Sequence, residues 1–459
     1  MKKTILLFLL SFYGYAQVQP QRQFQEGNTT QLILFENRLP YKKYDLNTSD
    51  LLVKWNVLIL DLIEQTNGYS PNVAARSLAY INLAAYESIL PAYPKSLSMS
   101  GQIQGYIRPP EFEQDSSSFI PQIALNNAVF KMVDYMFQPA PYIWMEKVMA
   151  LRDSVNASLT NGVDHLTLMK STNYGLSVAD LIYLYSMKDG GHQSYLRSYS
   201  LGYKLPKCDA CFEINRVADL ENTGPLHPDW GKTRAFHPED TTDFGINPKV
   251  PFSKYKNSPF YKQALEVYDE SKTVVTGSEK HTIANFWDDA ASFTSTATGH
   301  SISILTQVLR NKSVPLDEGA RDYCQLGLAI HDAMIICWKS KYKHNLIRPV
   351  AYIKKYIDSR WEATLLTPPF PEFPSGHSVQ SAAMATVLTS LMGDSVAFTD
   401  YSKYWVGEPR NFKNFWTAAN ETSISRLYGG IHFRDALVQG QEMGRMVGRN
   451  VLKLKFFRE

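Results

Sequence analysis

From residue 326 the chain repeats apolar side chains at helical spacing, Leu326, Ile330, Met334 and Cys337, and then sets Lys341 on the same stripe. Lys339 and Lys343 fall on other faces, so Lys341 is a cation aimed at the interior rather than at water. A buried ammonium must meet acceptors or an anion. The fold is therefore obliged to bring polar groups from elsewhere to this helix. Seven residues on, almost two turns, Arg348 falls on that stripe by spacing. Pro349 disfavours helical geometry at Arg348, which places this second cation at the helix end or just past it.

Two more segments supply what such cations need. In Pro374-Ser375-Gly376-His377 the serine is placed to cap a helix whose Ala-rich run, Val379 to Met392, stops at Gly393. The first N–H groups of that helix lack internal partners and carry the positive end of its dipole, so an anion on Gly376 and His377 would receive directed donors. Gly376 has no Cβ to keep the anion away. Further on, Gly429-Gly430 breaks helix between Arg426 and His432, and a turn there brings both side chains to one point.

Each piece alone has a plainer reading. Ser-Gly-His is commonly just a helix start, a lysine on an apolar stripe commonly snorkels, and an isolated histidine is commonly structural. Packing gives no reason for the whole set in this order. Three cations, a helix-opening turn and two imidazoles point to a site for a tetrahedral oxyanion.

The three segments resemble the signature of the type 2 phosphatidic acid phosphatase and vanadium haloperoxidase superfamily, K-x6-R-P, then P-S-G-H, then S-R-x5-H-x3-D. Lys341, Arg348 and Pro349 match the first, Pro374 to His377 the second, and Ser425, Arg426 and His432 the third. Asp435 follows His432 after two residues instead of three, so an orienting role for it does not carry over. The resemblance implies that Lys341, Arg348, Ser375, Gly376 and Arg426 bind the oxyanion, His432 gives a nitrogen to its central atom and His377 handles protons.

Two chemistries suit such a cage, because vanadate adopts the five-coordinate shape through which phosphoryl transfer passes. In a haloperoxidase the cofactor is vanadate, with His432 as the vanadium ligand, and hydrogen peroxide oxidises a halide to a hypohalous species that passes to small organic acceptors. In a soluble acid phosphatase His432 would become a phosphohistidine and His377 would protonate the leaving oxygen. Trp338 and Phe370 resemble the aromatic neighbours of vanadate in soluble haloperoxidases and favour that branch, as a halide pocket for iodide or bromide. The plainer reading makes both core residues. Ala284 to Asp289 and the stretch from Ala329 to Ala333 resemble bacterial members of the branch. Either Asp288 or Asp289 is placed to pair with a site arginine or to cap a helix. A non-catalytic secreted helical binding protein, suggested by 27 tyrosines and eight tryptophans, leaves the cationic cage unexplained.

At the amino end Lys2-Lys3, the apolar run Ile5 to Leu10 and a small-residue site near Ala16 form a secretory signal, residues 1–16, implying a periplasmic or secreted protein. Beyond it, no apolar run approaches the ~20 residues needed to span a bilayer. A net charge of +3 over 459 residues gives no reason to expect nucleic acid.

The rest reads as all-α, with residues 17–459 expected to form one large helical-bundle domain with long irregular loops, and the oxyanion motifs lying within 338–435. Ser49-Asp50 and Ser70-Pro71 open two core helices, and 121–160 and 163–188 continue the pattern. Residues 189–260 collect Gly, Pro and Asp and read as an irregular excursion covering the pocket entrance. His192, His227 and His237 are expected there as solvent-facing loop residues. Cys208 and Cys211 are expected to bridge locally or stay free rather than bind zinc, and Cys324 and Cys337 to pack in the core.

Overall fold

The computed structural model describes residues 39–458 apart from 41, 108–111, 113–117, 215–223, 241 and 403–408. Among these lie thirteen α-helices and one pair of short strands. The helices are α1 (Asp50–Gln65), α2 (Pro71–Glu87), α3 (Pro121–Met136), α4 (Tyr142–Leu159), α5 (His165–Ser186), α6 (Pro259–Ser271), α7 (Glu279–Phe286), α8 (Thr296–Lys312), α9 (Leu316–His344), α10 (Pro349–Tyr356) and α11 (Gly376–Met392). Strands β1 (Phe398–Asp400) and β2 (Arg410–Phe412) follow, then α12 (Phe415–Tyr428) and α13 (Arg434–Val451). The expected all-α class holds. The expected export signal, residues 1–16, lies outside the described residues.

Local chemistry sets many of the boundaries. Ser70, Asp164, Ser258, Ser278, Ser375 and Asn414 each accept a backbone N–H of their helix's first turn, which supplies a partner that the helix itself cannot. Prolines open α2, α3, α6 and α10, where no N–H is needed. No described helix is long and apolar enough to cross a membrane.

The 29-residue α9 runs through the core, buried along most of its length, and packs against α2, α11 and α13. Helix α11 is mostly apolar or small, as an enclosed helix must be, with buried Gln380 accepting Ser301 Oγ–H, and α9, α12 and α13 surround it. Its closest neighbour is α13, where Gly440, Gly444 and Gly448 recur every four residues against it. A Cβ on Gly444 would stand 2.1 Å from the Val379 carbonyl oxygen, so the two backbones meet where no larger residue fits. That contact, with Ser375 N–H donating to Ala436 O at 3.1 Å, fixes the position of the α11 amino terminus.

Two expectations need correction, one of two alternatives falls away, and one element is new. Arg348 does not share the Lys341 stripe, because α9 ends at His344 and Asn345 turns into left-handed backbone (φ 44°); Arg348 instead caps α10 with extended geometry. The described part of 189–260 is irregular as expected, yet His227 and His237 are buried rather than solvent-facing. His227 Nε2 lies 2.8 Å from Ser70 Oγ, and the backbone of His237 is anchored on Asp332. Neither Asp288 nor Asp289 caps a helix. The β1–β2 pair was not expected at all; each strand is three residues long, too short for alternation to mark it.

Cys208 and Cys211 form a disulfide, and Cys324 and Cys337 are free and buried.

Candidate active site

Lys341, Arg348 and Arg426 are each no more than 1% exposed. Taking a charge out of water costs several kcal/mol per ion, so each must be compensated. Lys341 Nζ donates to the carbonyls of Pro371 (2.9 Å), Glu372 (3.1 Å) and Pro374 (2.5 Å), the segment that leads into α11. Arg348 donates from Nε to Phe370 O (2.9 Å) and from Nη1 to Ile431 O (2.7 Å), tying this segment to the α12–α13 turn. Arg426, in the last turn of α12, donates to Ser425 Oγ (2.9 Å) and Ala284 O (3.2 Å).

These carbonyls leave charge unbalanced. Burial pushes Lys341 down to about 7 and Arg348 down to about 10. Arg426 is also lowered by burial, partly countered by Asp288 and Asp289. Arg348 Nη2 is buried without a hydrogen-bond partner among the described residues. A planar guanidinium with an unused fork, beside two other buried cations, is what a bound oxyanion would satisfy.

His432 lies among the three. Its Nε2 is 3.1 Å from Arg348 Nη1, and its Nδ1 is 3.0 Å from Glu372 Oε1. Burial first, then the charges of Arg348, Lys341, Arg426 and His377, hold its pKa well below the usual histidine value, so the ring is neutral. A neutral imidazole with Nδ1–H turned to a carboxylate keeps its lone pair on Nε2. Burial lifts Glu372 to about 7, against the pull of Arg348 and Lys341.

Ser375 Oγ accepts Ser378 N–H at 3.4 Å, and the amino end of α11 lies beside this cluster. An added Cβ on Gly376 would be 3.7 Å from Trp338 and 3.9 Å from Cys337 Sγ, so the glycine keeps the face open without being sterically required. His377, in the first turn, has Nε2 3.5 Å from Asp289 Oδ2, an ion-pair separation.

Trp338 and Phe370 pack with ring centroids 5.0 Å apart. Lys341 Nζ and the Arg348 guanidinium stand over Phe370 at 5.0 and 4.9 Å, so the two aromatics form one wall of the cationic cluster. Trp338 donates its indole N–H to Leu226 O (3.2 Å), which ties the irregular excursion to that wall.

Every site residue expected from the sequence thus lies in or beside one cluster. Glu372 was missed: an acid held between Pro371 and Phe373-Pro374 was the available signal. Of the two aspartates, Asp289 is the buried one that faces His377, while both charges reach Arg426. Asp435 turns away and accepts the N–H groups of Lys249 (2.8 Å) and Val250 (3.2 Å).

Comparison with known proteins places Trp338 to His432 within one matched family domain. The family model described as the VCPO second helical-bundle domain matches residues 322–457. A solved structure described as the first bacterial vanadium-dependent iodoperoxidase is 31% identical over 92% of this chain and 99% of its own, with a TM-score of 0.79. A holo-type bacterial vanadium-dependent chloroperoxidase (15% identity, 90% of this chain, 98% of that one, TM-score 0.63) and an apo-type one (17%, 83%, 92%, 0.60) share the fold. Among curated proteins, none matches. By its identity and near-complete coverage of the iodoperoxidase, the chain belongs to the vanadium-dependent haloperoxidase family.

Proposed function

We propose that this protein is a vanadate-dependent peroxidase that oxidises halide, iodide foremost, by H2O2 + I⁻ + H⁺ → HOI + H2O. The observation that carries the reading is the gathering of three buried cations, one with a guanidinium nitrogen unsatisfied among the described residues, around His432, whose Nε2 lies 3.1 Å from Arg348. An oxyanion with several negative oxygens and a central atom able to take a fifth ligand fits that donor set. Lys341, Arg348, Arg426, Ser375 and the Gly376 backbone hold it, and His432 is the vanadium ligand. Vanadate supplies the Lewis acidity that activates hydrogen peroxide.

The other steps belong to the chain. Glu372 fixes the His432 tautomer, and burial, joined by the surrounding cations, holds that ring's pKa well below the usual histidine value. His377 accepts the proton that hydrogen peroxide gives up and returns one to the departing hydroxide oxygen, which leaves as water. The Trp338–Phe370 wall excludes water and offers a polarisable face to a large halide. Since the Trp338 N–H already donates to Leu226 O, that donor does not serve the halide. The 31% likeness to an iodoperoxidase supports iodide. Small organic molecules are the acceptors of the hypohalous product.

Residues 17–459 are read as one helical unit, supported by a hydrophobic core that includes residues from Leu39 to Phe456. Residues 1–16 are read as an export signal and the protein as periplasmic or secreted, supported by Lys2-Lys3 with its apolar run and by the Cys208–Cys211 bridge, which suits an oxidising compartment.

The test incubates the purified protein with vanadate, peroxide and each halide in turn, beside a phosphate-ester assay without vanadate. Iodide oxidation confined to the vanadate sample, and abolished in His432→Ala, is the expected result. Ester cleavage without halide oxidation would instead establish the phosphatase chemistry.

A further inference from the structure

Behind His377 a second buried cluster joins three elements. His300 in α8 is 3% exposed and lies between two carboxylates, with Nδ1 3.0 Å from Asp289 Oδ1 and Nε2 2.8 Å from Asp400 Oδ2. Both ring nitrogens therefore face acceptors, which requires both to carry hydrogen. Burial opposes that charge, but Asp289 and Asp400 outweigh it and lift His300 to about 9. Asp400, at the end of β1, is held in turn by Ser402 N–H (2.9 Å) and Gln307 Nε2 (3.3 Å). Trp287 stacks on the imidazole, with centroids 4.6 Å apart and planes 24° from parallel.

Asp289 is the middle of the chain of contacts. It is 4% exposed and adopts φ 48°, the left-handed region that a residue with a side chain occupies only when its surroundings hold it. One oxygen meets His300, and the other lies 3.5 Å from His377 Nε2. Every group from Asp400 to Asp289 is enclosed, so the arrangement has little freedom to rotate.

We propose that His300 is a positioning residue: clamped by Asp400, it orients the Asp289 carboxylate so that its second oxygen faces His377 Nε2 and sets which nitrogen of His377 carries hydrogen. With Nε2–H directed at Asp289, neutral His377 has its lone pair on Nδ1, and that nitrogen takes the proton from hydrogen peroxide. The inference rests on the reading of His377 as proton acceptor in the proposed reaction. A cluster serving the fold alone would stabilise the protein without influencing the His377 tautomer.

The test compares wild type with His300→Gln and Asp400→Asn. Nitrogen-15 NMR of histidine-labelled protein without vanadate, at a pH where His377 is neutral, reads its tautomer directly. Wild type is expected to hold hydrogen on Nε2, and both variants to show a mixture. In the vanadate-loaded enzyme, kcat for iodide is expected to fall by about 10-fold or more, with vanadate affinity and the iodide KM within about 3-fold of wild type. Folded variants with the wild-type tautomer overturn the inference, as does vanadate affinity falling in step with kcat. If His300→Gln does not fold, Asp400→Asn, which preserves side-chain shape, decides alone. Should wild type fail to oxidise iodide, the haloperoxidase reading fails, while the tautomer comparison still decides the positioning role.

Discussion

His432 and Glu372 are joined by a 3.0 Å contact between Nδ1 and Oε1, and the same carboxylate oxygen accepts the Phe433 N–H at 2.9 Å. The pair sets both the tautomer of the imidazole and the direction of its remaining lone pair. Glu372 also lies in the segment whose carbonyls hold Lys341, so one short stretch orients the ligand nitrogen and anchors a cation of the cage.

Glu372→Gln removes the charge that fixes Nδ1–H but keeps the size of the side chain. Vanadate affinity is expected to fall by about 10–100-fold, the usual cost of losing a group that orients a metal-binding histidine. Titration calorimetry of the folded variant measures it. Asp435→Asn, whose carboxylate accepts the backbone N–H groups of Lys249 and Val250 away from His432, is expected to bind vanadate as wild type does. Equal losses in the two variants would contradict the assignment.

The His300 cluster gives stability a pH dependence of definite sign. Its pKa is raised in the fold, from 6.5 to about 9, so its contribution is complete below pH 6.5 and disappears as pH rises through 9. The shift corresponds to on the order of 3 kcal/mol for this enclosed group. Thermal melting is expected to show the wild-type midpoint declining between pH 7 and 10. His300→Gln should start lower and lack that decline; a parallel decline would mean that another group titrates there.

Legibility followed distance along the chain. Lys341, Ser375 and Arg426 declared themselves because helical periodicity, capping and a glycine break are local features. Glu372 meets His432 across 60 residues and His300 meets Asp400 across 100, separations at which no local pattern marks a partner. The buried His227 was misread for the same reason, since its partner Ser70 lies 157 residues away and composition reports only a loop. Arg348 shows how a helix end outweighs spacing: α9 stops at His344, Asn345 turns left-handed, Pro349 keeps the arginine extended, and backbone carbonyls from two other segments hold it.

Gly444 tests how the site depends on helix packing. A methyl group there would come 2.1 Å from Val379 O and 2.8 Å from the Ala382 side chain, which neither backbone can accommodate without moving. Gly444→Ala is expected to destabilise the protein by about 1–3 kcal/mol through overpacking, despite alanine's better helix propensity. Because α13 also positions the amino end of α11, vanadate affinity should weaken as well. Denaturation melts and calorimetry on the same sample would check both; an unchanged melt would show that the helices separate at little cost.

The Cys208–Cys211 loop lies against the segment that delivers Arg348. Phe212 N–H donates to Asn345 O at 2.7 Å and Ile347 N–H donates to Ala210 O at 2.8 Å, so the bridged turn pairs with residues 345–347 immediately before the arginine. Leu346 O in turn accepts Glu372 N–H at 3.0 Å, which links the loop to the carboxylate beside His432. Opening the bridge widens the conformational range of the loop, and through residues 345–347 that of Arg348, but leaves the hydrogen bonds that hold the other cage residues intact. The Cys208→Ser, Cys211→Ser double variant is therefore expected to bind vanadate about 2–5-fold more weakly, a cost below 1 kcal/mol on the scale where about 1.4 kcal/mol is tenfold. Its kcat at saturating vanadate should match wild type, because the proton-handling residues lie elsewhere. Calorimetry and iodide turnover measured on the double variant separate the two quantities; a fall in kcat at full vanadate occupancy would show that the loop governs more than the placement of Arg348.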